Sequence, residues 1–260
     1  MTNEAVIRIV SFSTILVIMG IAETLFPKRD LDTLKARRWF SNLSIAALST
    51  LIIRLGIPIM PVSLAILCTE KNIGLFNLLS LPIWVELAMS ILLLDMIIYF
   101  QHVAFHKHRL LWRVHRMHHA DLDIDTSTGI RFHPIEIFLS TLIKLTAIVL
   151  LGPAASAVII FEILLNGCAL FNHANLRLPV RLDALLRLFV VTPDMHRVHH
   201  SIDMKEANTN YGFNFPWWDR IFQTYKPQPA LGHNQMHIGL NIFRAPEFIH
   251  ISRMLTIPFI

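Results

Sequence analysis

Charge is what this chain has least of. Of 260 residues only 16% are Asp, Glu, Lys or Arg, against about 25% in an ordinary soluble domain. The hydrophobic set reaches 54% and mean hydropathy is +0.53. A soluble enzyme of ordinary composition is therefore excluded, and a multi-pass membrane protein is expected. Cysteine is nearly absent: Cys68 and Cys168 both sit in apolar surroundings, which excludes a disulfide scaffold. With 9 Gly and 13 Pro the chain is neither collagen-like nor low-complexity. A net charge of +5 suits loops beside anionic lipid better than a nucleic-acid partner, and no nucleic acid is expected. Histidine breaks the pattern of scarcity. There are 14, against 23 Lys and Arg together.

Apolar stretches long enough to cross a core of roughly 30 Å lie at residues 5–26, 39–57, 83–105, 134–151 and 154–171. The first is too long for a cleaved signal peptide and lacks a small-residue cleavage site, so it reads as a retained helix. Residues 58–69 are apolar but broken by Pro58 and Pro61, and read as a broken or re-entrant extension of the second span. Lys28, Arg29, Lys35, Arg37 and Arg38 follow the first span, and Lys107, Arg109, Arg113 and Arg116 follow the third. Only Glu70 and Lys71 lie between the second and third. The positive-inside rule makes the two basic segments cytoplasmic. Gly152-Pro153 folds the last two spans into a hairpin, which puts residues 134 and 172 on that same side. The expected fold is all-α: a transmembrane bundle of four to five spans with a cytosolic helical cap. It forms one membrane domain, with N-terminal helices at 1–82, a histidine-bearing core at 83–225 and a tail at 226–260.

Ten histidines then fall on one face of the membrane. His102 and His106 stand at i, i+4 on one helix face. His115, His118 and His119 follow at i, i+3, i+4, and His196, His199 and His200 repeat that spacing with the same arginine after the first histidine. Thr192-Pro193-Asp194 marks the helix start of the last set with a cap, a first-turn proline and a first-turn acid. His133 and His173 join by position, each at a helix end. Neutral imidazoles facing one point suit iron, zinc, copper or nickel. One ion takes about four to six ligands, so ten imidazoles imply two ions. Acidic residues are expected to hold the outer imidazole N–H groups. The candidates are Asp121, Asp123, Asp125, Glu136, Asp194, Asp203 and Asp219, with Asp95 inside the third span and, more weakly, Glu86 and Glu162. His108, His233, His237 and His250 read as solvated or interfacial.

HVAFH, HRMHH and HRVHH, with Arg131-Phe-His133-Pro-x-Glu136 and Asn172-His173-Ala-Asn175 between them, resemble the fatty acid hydroxylase/sterol desaturase superfamily. Asp95-x-x-x-Tyr99, Asn210-Tyr-Gly212 and Trp218-Asp219 through Tyr225 extend the likeness over residues 95–225. Ala169 stands where fatty acid 2-hydroxylases carry a histidine, and the HPxE around His133 is nearer the sterol desaturase-like branch, with His133 as the substitute ligand. Gln223 stands where the closing motif usually has glycine. The resemblance implies a membrane-bound non-haem di-iron oxygenase that hydroxylates or desaturates a lipid with O₂, the two irons being replaceable by zinc during purification. It makes His102, His106, His115, His118, His119, His196, His199 and His200 catalytic, with His133 and His173 further ligands. Two electrons are expected from a separate ferredoxin- or cytochrome b5-type donor with its reductase. Apolar substrate is expected to enter sideways between the third, fourth and fifth spans. The rival readings are a metal transporter, a bis-histidine haem carrier and an inactive scaffold of the same family.

Overall fold

A computed structural model describes residues 3–260, and among them it is helical with no strand beyond two isolated bridges. Five helical segments are long and apolar enough to cross a membrane. They are α1 (Asn3–Leu25), α2 (Lys35–Gly56) with α3 (Pro61–Glu70), α4 (Ile83–Lys107), α6 (Pro134–Leu151) and α7 (Ala155–Asn172). Between α4 and α6 lies α5 (Arg109–His119). After α7 come α8 (Val180–Leu186), α9 (Pro193–His199) and several shorter turns of helix.

Of the two readings of residues 58–69, the structure shows the broken extension of the second span. Pro58 splits it, since a proline ring cannot continue the hydrogen-bond ladder. Gly56 at the end of α2 packs on Phe138, in the first turns of α6. Beyond the break, Val62 and Ala65 of α3 cluster with Ile148 and Val158, and Gly74 lies against Gly152 at the end of α6. The chain thus continues along α6 and does not turn back, so α2 and α3 make one interrupted passage. At the Gly152 link a left-handed φ of 61° and backbone contact with Gly74 leave no room for a side chain.

Contacts fix the direction of every span. Glu23, near the end of α1, accepts from Thr126 and Asn175. Glu86, near the start of α4, accepts from the Ala154 backbone. All the sequence-predicted histidines therefore gather at one end of the bundle. Over that end fold α5, α8, α9 and the C-terminal tail. The tail docks through Met254 and Ile257 onto Ile45, Met117 and Ala120, while Arg113 and Arg116 donate to the carbonyls of Pro258 and Ile257.

Candidate metal centre

Nine of the ten predicted histidines converge into two groups. His102, His106, His115, His119 and His199 form one, and His118, His173, His196 and His200 the other. In each, the candidate ligand atoms lie within 4.8 Å of one another. All nine are buried. The groups adjoin, with the His119 and His200 rings stacked at 4.5 Å. Each three-histidine set is divided between them. The i and i+4 rings of α5 enter the first group and its i+3 ring the second, whereas α9 sends i and i+4 to the second and i+3 to the first. The spacing put the rings near one place; it did not reveal this exchange, which depends on how α5 and α9 face each other.

His133 is the exception. It caps α6, its Nδ1 accepting from the Ile135 backbone at 3.2 Å, and its Nε2 faces the Leu255 carbonyl. That placement leaves His133, expected to substitute for the histidine missing at Ala169, outside both groups. Position 169 contributes backbone instead: its carbonyl accepts from His173 Nδ1 at 2.8 Å, and Gly129 packs so closely on it that a Cβ would come within 2.4 Å.

The outer nitrogens define the tautomers. His102 Nδ1 donates to the Tyr211 carbonyl at 2.8 Å, His118 Nδ1 to Arg131 at 3.2 Å and His199 Nδ1 to Thr209 at 2.7 Å. His115 Nδ1 donates to the Glu136 carboxylate at 2.7 Å. A carbonyl oxygen can only accept, so the proton sits on Nδ1 and Nε2 presents a bare lone pair. Yet His102 and His115 bring those Nε2 atoms to 3.2 Å, and His118 and His173 bring theirs to 3.1 Å. His199 Nε2 and His200 Nε2 are buried with no hydrogen-bond partner among the described residues. Facing lone pairs repel unless a cation stands between them. A proton is a poor candidate, because burial and neighbouring histidines push His118 and His200 well below the usual imidazole range. Burial likewise takes His173 to about 4 and His199 to about 3. Two imidazoles each about 2.1 Å from a shared metal ion stand roughly 3.0–3.4 Å apart. The donor set therefore fits a metal ion in each group.

Most of the predicted acidic partners work elsewhere. Asp121 and Asp125 bind Arg38, Asp123 accepts from Thr33, and Asp194 pairs with Arg197 and Lys28. Asp203 caps a short helix. Asp219 accepts from the backbone of Tyr211 and Gly212. Asp95 takes Trp218 Nε1 at 2.8 Å and the backbone of Asn214 and Phe215. The last two carboxylates act at one remove: they hold the 211–219 segment that supplies the Tyr211 carbonyl to His102. Glu86 accepts from Ala154 and Glu162 binds Lys144. Only Glu136 touches a site imidazole. The backbone acceptors carry no side-chain signal and could not have been found from residue types. Among the remaining histidines, His108, His237 and His250 are exposed as expected, whereas His233 is buried beside Asp194.

A cavity of about 810 Å³ reaches the histidines, touching His102, His115 and His118. Its walls include residues of α4, α6 and α7 and also of α1 and α2.

These features define a helical protein with membrane-spanning segments, two buried histidine groups that fit metal ions, and a cavity leading to them. Residues 87–224 match the fatty acid hydroxylase family model, and the chain belongs to that family. It is 28% identical over 148 residues to ornithine lipid hydroxylase OlsE of Rhizobium tropici, covering 57% of this chain and 44% of that protein. It is 31% identical over 135 residues to alkylglycerol monooxygenase of Danio rerio, covering 52% and 29%. A very-long-chain aldehyde decarbonylase of Oryza sativa is 23% identical over 172 residues, covering 63% and 27%. The chain thus spans less than half the length of these relatives. No solved structure matches it.

Proposed function

We propose that this protein is a membrane-bound lipid oxygenase that uses O₂ and two electrons from a separate donor protein to hydroxylate or desaturate an alkyl chain or ring. The observation that carries the reading is the pair of bare-lone-pair histidine groups at the inner end of the cavity. His102, His106, His115, His119 and His199 would hold one iron, and His118, His173, His196 and His200 the other. When bound, the irons supply O₂ reduction and the oxidising power to take hydrogen from an unactivated C–H bond. The protein's own residues do the rest. The Tyr211, Arg131, Ala169 and Thr209 carbonyls and Glu136 orient the rings and fix their tautomers. Buried walls keep the site dry, and the cavity presents substrate beside His102, His115 and His118.

The basic residues after α1 and α4 support placing the histidine end on the cytoplasmic side, where a soluble electron donor can reach it. Transporters usually hold their ions near the bilayer midplane; histidines at one end of the bundle disfavour that reading. A haem takes two axial histidines and would leave the other seven of the nine without a role. The test is anaerobic reduction of the iron-loaded protein followed by O₂ with candidate lipids. A lipid product gaining one oxygen atom or losing two hydrogens is expected. Full iron occupancy with no O₂ consumption for any lipid would contradict the proposal.

A further inference from the structure

The cap carries an apolar rim at a depth where it meets lipid. Beyond the Tyr211 carbonyl that holds His102, the chain descends along α4. Asn214 and Phe215 donate from their backbone, and Trp218 from its indole, to Asp95. Asp95 is buried at the midpoint of α4, about two helical turns, or roughly 10 Å, farther from the cap than His102. The chain then climbs past Phe222, whose ring lies 5.4 Å from Tyr99 and 4.9 Å from Phe100, to Thr224, bonded to the Tyr99 hydroxyl at 2.8 Å. A hydrocarbon core of roughly 30 Å takes about twenty residues of helix. Counted from Ile83, the start of α4, it ends at about residue 103, level with His102. The dip at residues 214–222 therefore lies beside hydrocarbon, although it belongs to the cap.

Residues 176–189 extend that rim to the end of α1. Arg177 donates its backbone N–H to the Phe26 carbonyl at 2.8 Å, and the Leu188 carbonyl accepts from the Trp217 indole at 2.6 Å. Leu25 and Phe26, which close the first span, are 65% and 62% exposed, and Phe100 on α4 is 46% exposed. The rim thus runs from one lipid-facing surface to another. Along it Val180, Leu182, Leu185, Leu188 and Phe189 are exposed, and so are Ile221 and Phe222 on the dip. The other exposed residues of 176–189 are Arg177, Pro179, Arg181 and Ala184. Both acids in these stretches are turned inward: Asp183 binds Arg187, and Asp219 accepts from the Tyr211 and Gly212 backbone. Elsewhere the cap exposes polar residues, among them Asp203, Lys205, Asn234 and Gln235. So continuous an apolar surface is rare in water. A bilayer interface accepts it, with basic residues facing the lipid phosphates.

We infer that residues 176–189 and 214–222 form a collar sunk into the leaflet on the histidine side, with apolar side chains among the acyl chains and Arg177 and Arg181 at the lipid phosphates. The collar fixes the depth of the bundle and brings the histidines to the boundary between hydrocarbon and headgroups. It is independent of the oxygenase reading, since lipid contact needs neither metal nor turnover.

The experiment places a nitroxide on the full-length, metal-loaded protein in nanodiscs, through Val180→Cys, Leu185→Cys, Phe189→Cys or Ile221→Cys, with Lys205→Cys and Gln235→Cys as controls. Signal from the labelled native chain is subtracted. Collisions with O₂, which dissolves in hydrocarbon, are compared with collisions with a neutral nickel chelate, which stays in water. O₂ contact should dominate at the collar positions and nickel contact at the controls. Nickel contact at the collar places it in water and overturns the inference. Exclusion of both quenchers places it under protein, a partner or a second copy, and overturns it too. In discs containing phosphatidylglycerol, Arg177→Glu with Arg181→Glu should raise nickel contact at Val180→Cys, as the stretch is repelled from the phosphates; no change overturns the arginine contact. Should a variant not fold, the native chain decides. A phospholipid with a diazirine on its acyl chain should cross-link to residues 176–189 and 217–222, and cross-links confined to the spanning helices overturn the collar.

Discussion

Arg38 and the nine histidines are all buried, yet the Arg38 guanidinium is satisfied by protein atoms and the histidine groups are not. That guanidinium meets both oxygens of Asp121 at 2.8 and 2.9 Å and Asp125 at 2.7 Å, with the Asp123 carbonyl and Thr128 hydroxyl completing the set. Arg131 nearby adds a second cation, bonded to Asn42. Two cations face two carboxylates, and the network is closed by protein atoms. The histidine groups lie within a few residues of it, in the same cap. They gather nine imidazoles around a single neighbouring carboxylate, and the five whose Nδ1 is bonded turn Nε2 lone pairs inward. The first cluster is satisfied by protein atoms; the second has the donor set of a metal site. Buried polar groups cost free energy unless satisfied, so the contrast separates a network that serves stability from the cluster proposed to serve function.

That contrast is broken most severely at the histidines. His118→Ala or His199→Ala should remove metal from its group and lower turnover roughly 10⁴-fold or more, read by metal analysis and product formation. Melting of the metal-free protein should change little, because facing lone pairs are relieved. Arg38→Met should do the opposite. Stripping one partner from a buried ion network costs about 3–5 kcal/mol, so thermal unfolding should fall sharply with or without metal. Equal losses of metal-free stability in the two kinds of variant would erase the distinction.

Glu136→Gln separates the orienting role from both. It should lower iron affinity or turnover about 10–100-fold with unfolding nearly unchanged; loss of stability comparable to Arg38→Met would make Glu136 a structural residue instead. Acid should find the closed network before it is otherwise weakened. Burial alone would raise the Asp121 carboxyl, but Arg38 and Arg131 outweigh it and hold it at about 2, below its ordinary 3.8. With the folded value depressed, its contribution is full above 3.8 and is lost as pH falls from there towards 2. Asp121→Asn should flatten the stability profile of the metal-free protein in that interval. An unchanged slope would remove Asp121 from the account.

How much of this was legible in the sequence follows from how local each signal is. Hydropathy located the spans, and helical spacing with the loop charges brought His102 through His200 to one end. The division of each three-histidine set between two groups was not legible, because it is set by the packing of α5 against α9, some eighty residues apart. His133 carried a ligand's residue type at a plausible place, but Pro134 starts a helix there and its ring became the cap. Arg38 read as one of several loop cations, since nothing nearby in sequence showed that residues 83 and 87 positions later would bury it. The α1 and α2 walls of the cavity were equally hidden, because they depend on packing between helices distant in sequence.

Gln223 is the smallest case and was flagged by type alone. It holds φ at +58°, a conformation that favours glycine. Gln223→Gly should gain up to about 1 kcal/mol, visible as a rise of a few degrees in melting temperature. A fall would show that its side chain contributes more than its backbone costs.

Metal sites and packed imidazoles make opposite predictions for the two histidine groups. X-ray absorption at the iron edge on anaerobically reconstituted protein, with metal counted per chain, separates them. Two irons per chain in a shell of imidazole nitrogen are predicted, one iron being lost in His118→Ala. A native protein that binds no stoichiometric metal, or binds it through sulfur or carboxylate alone, would contradict the metal-site reading.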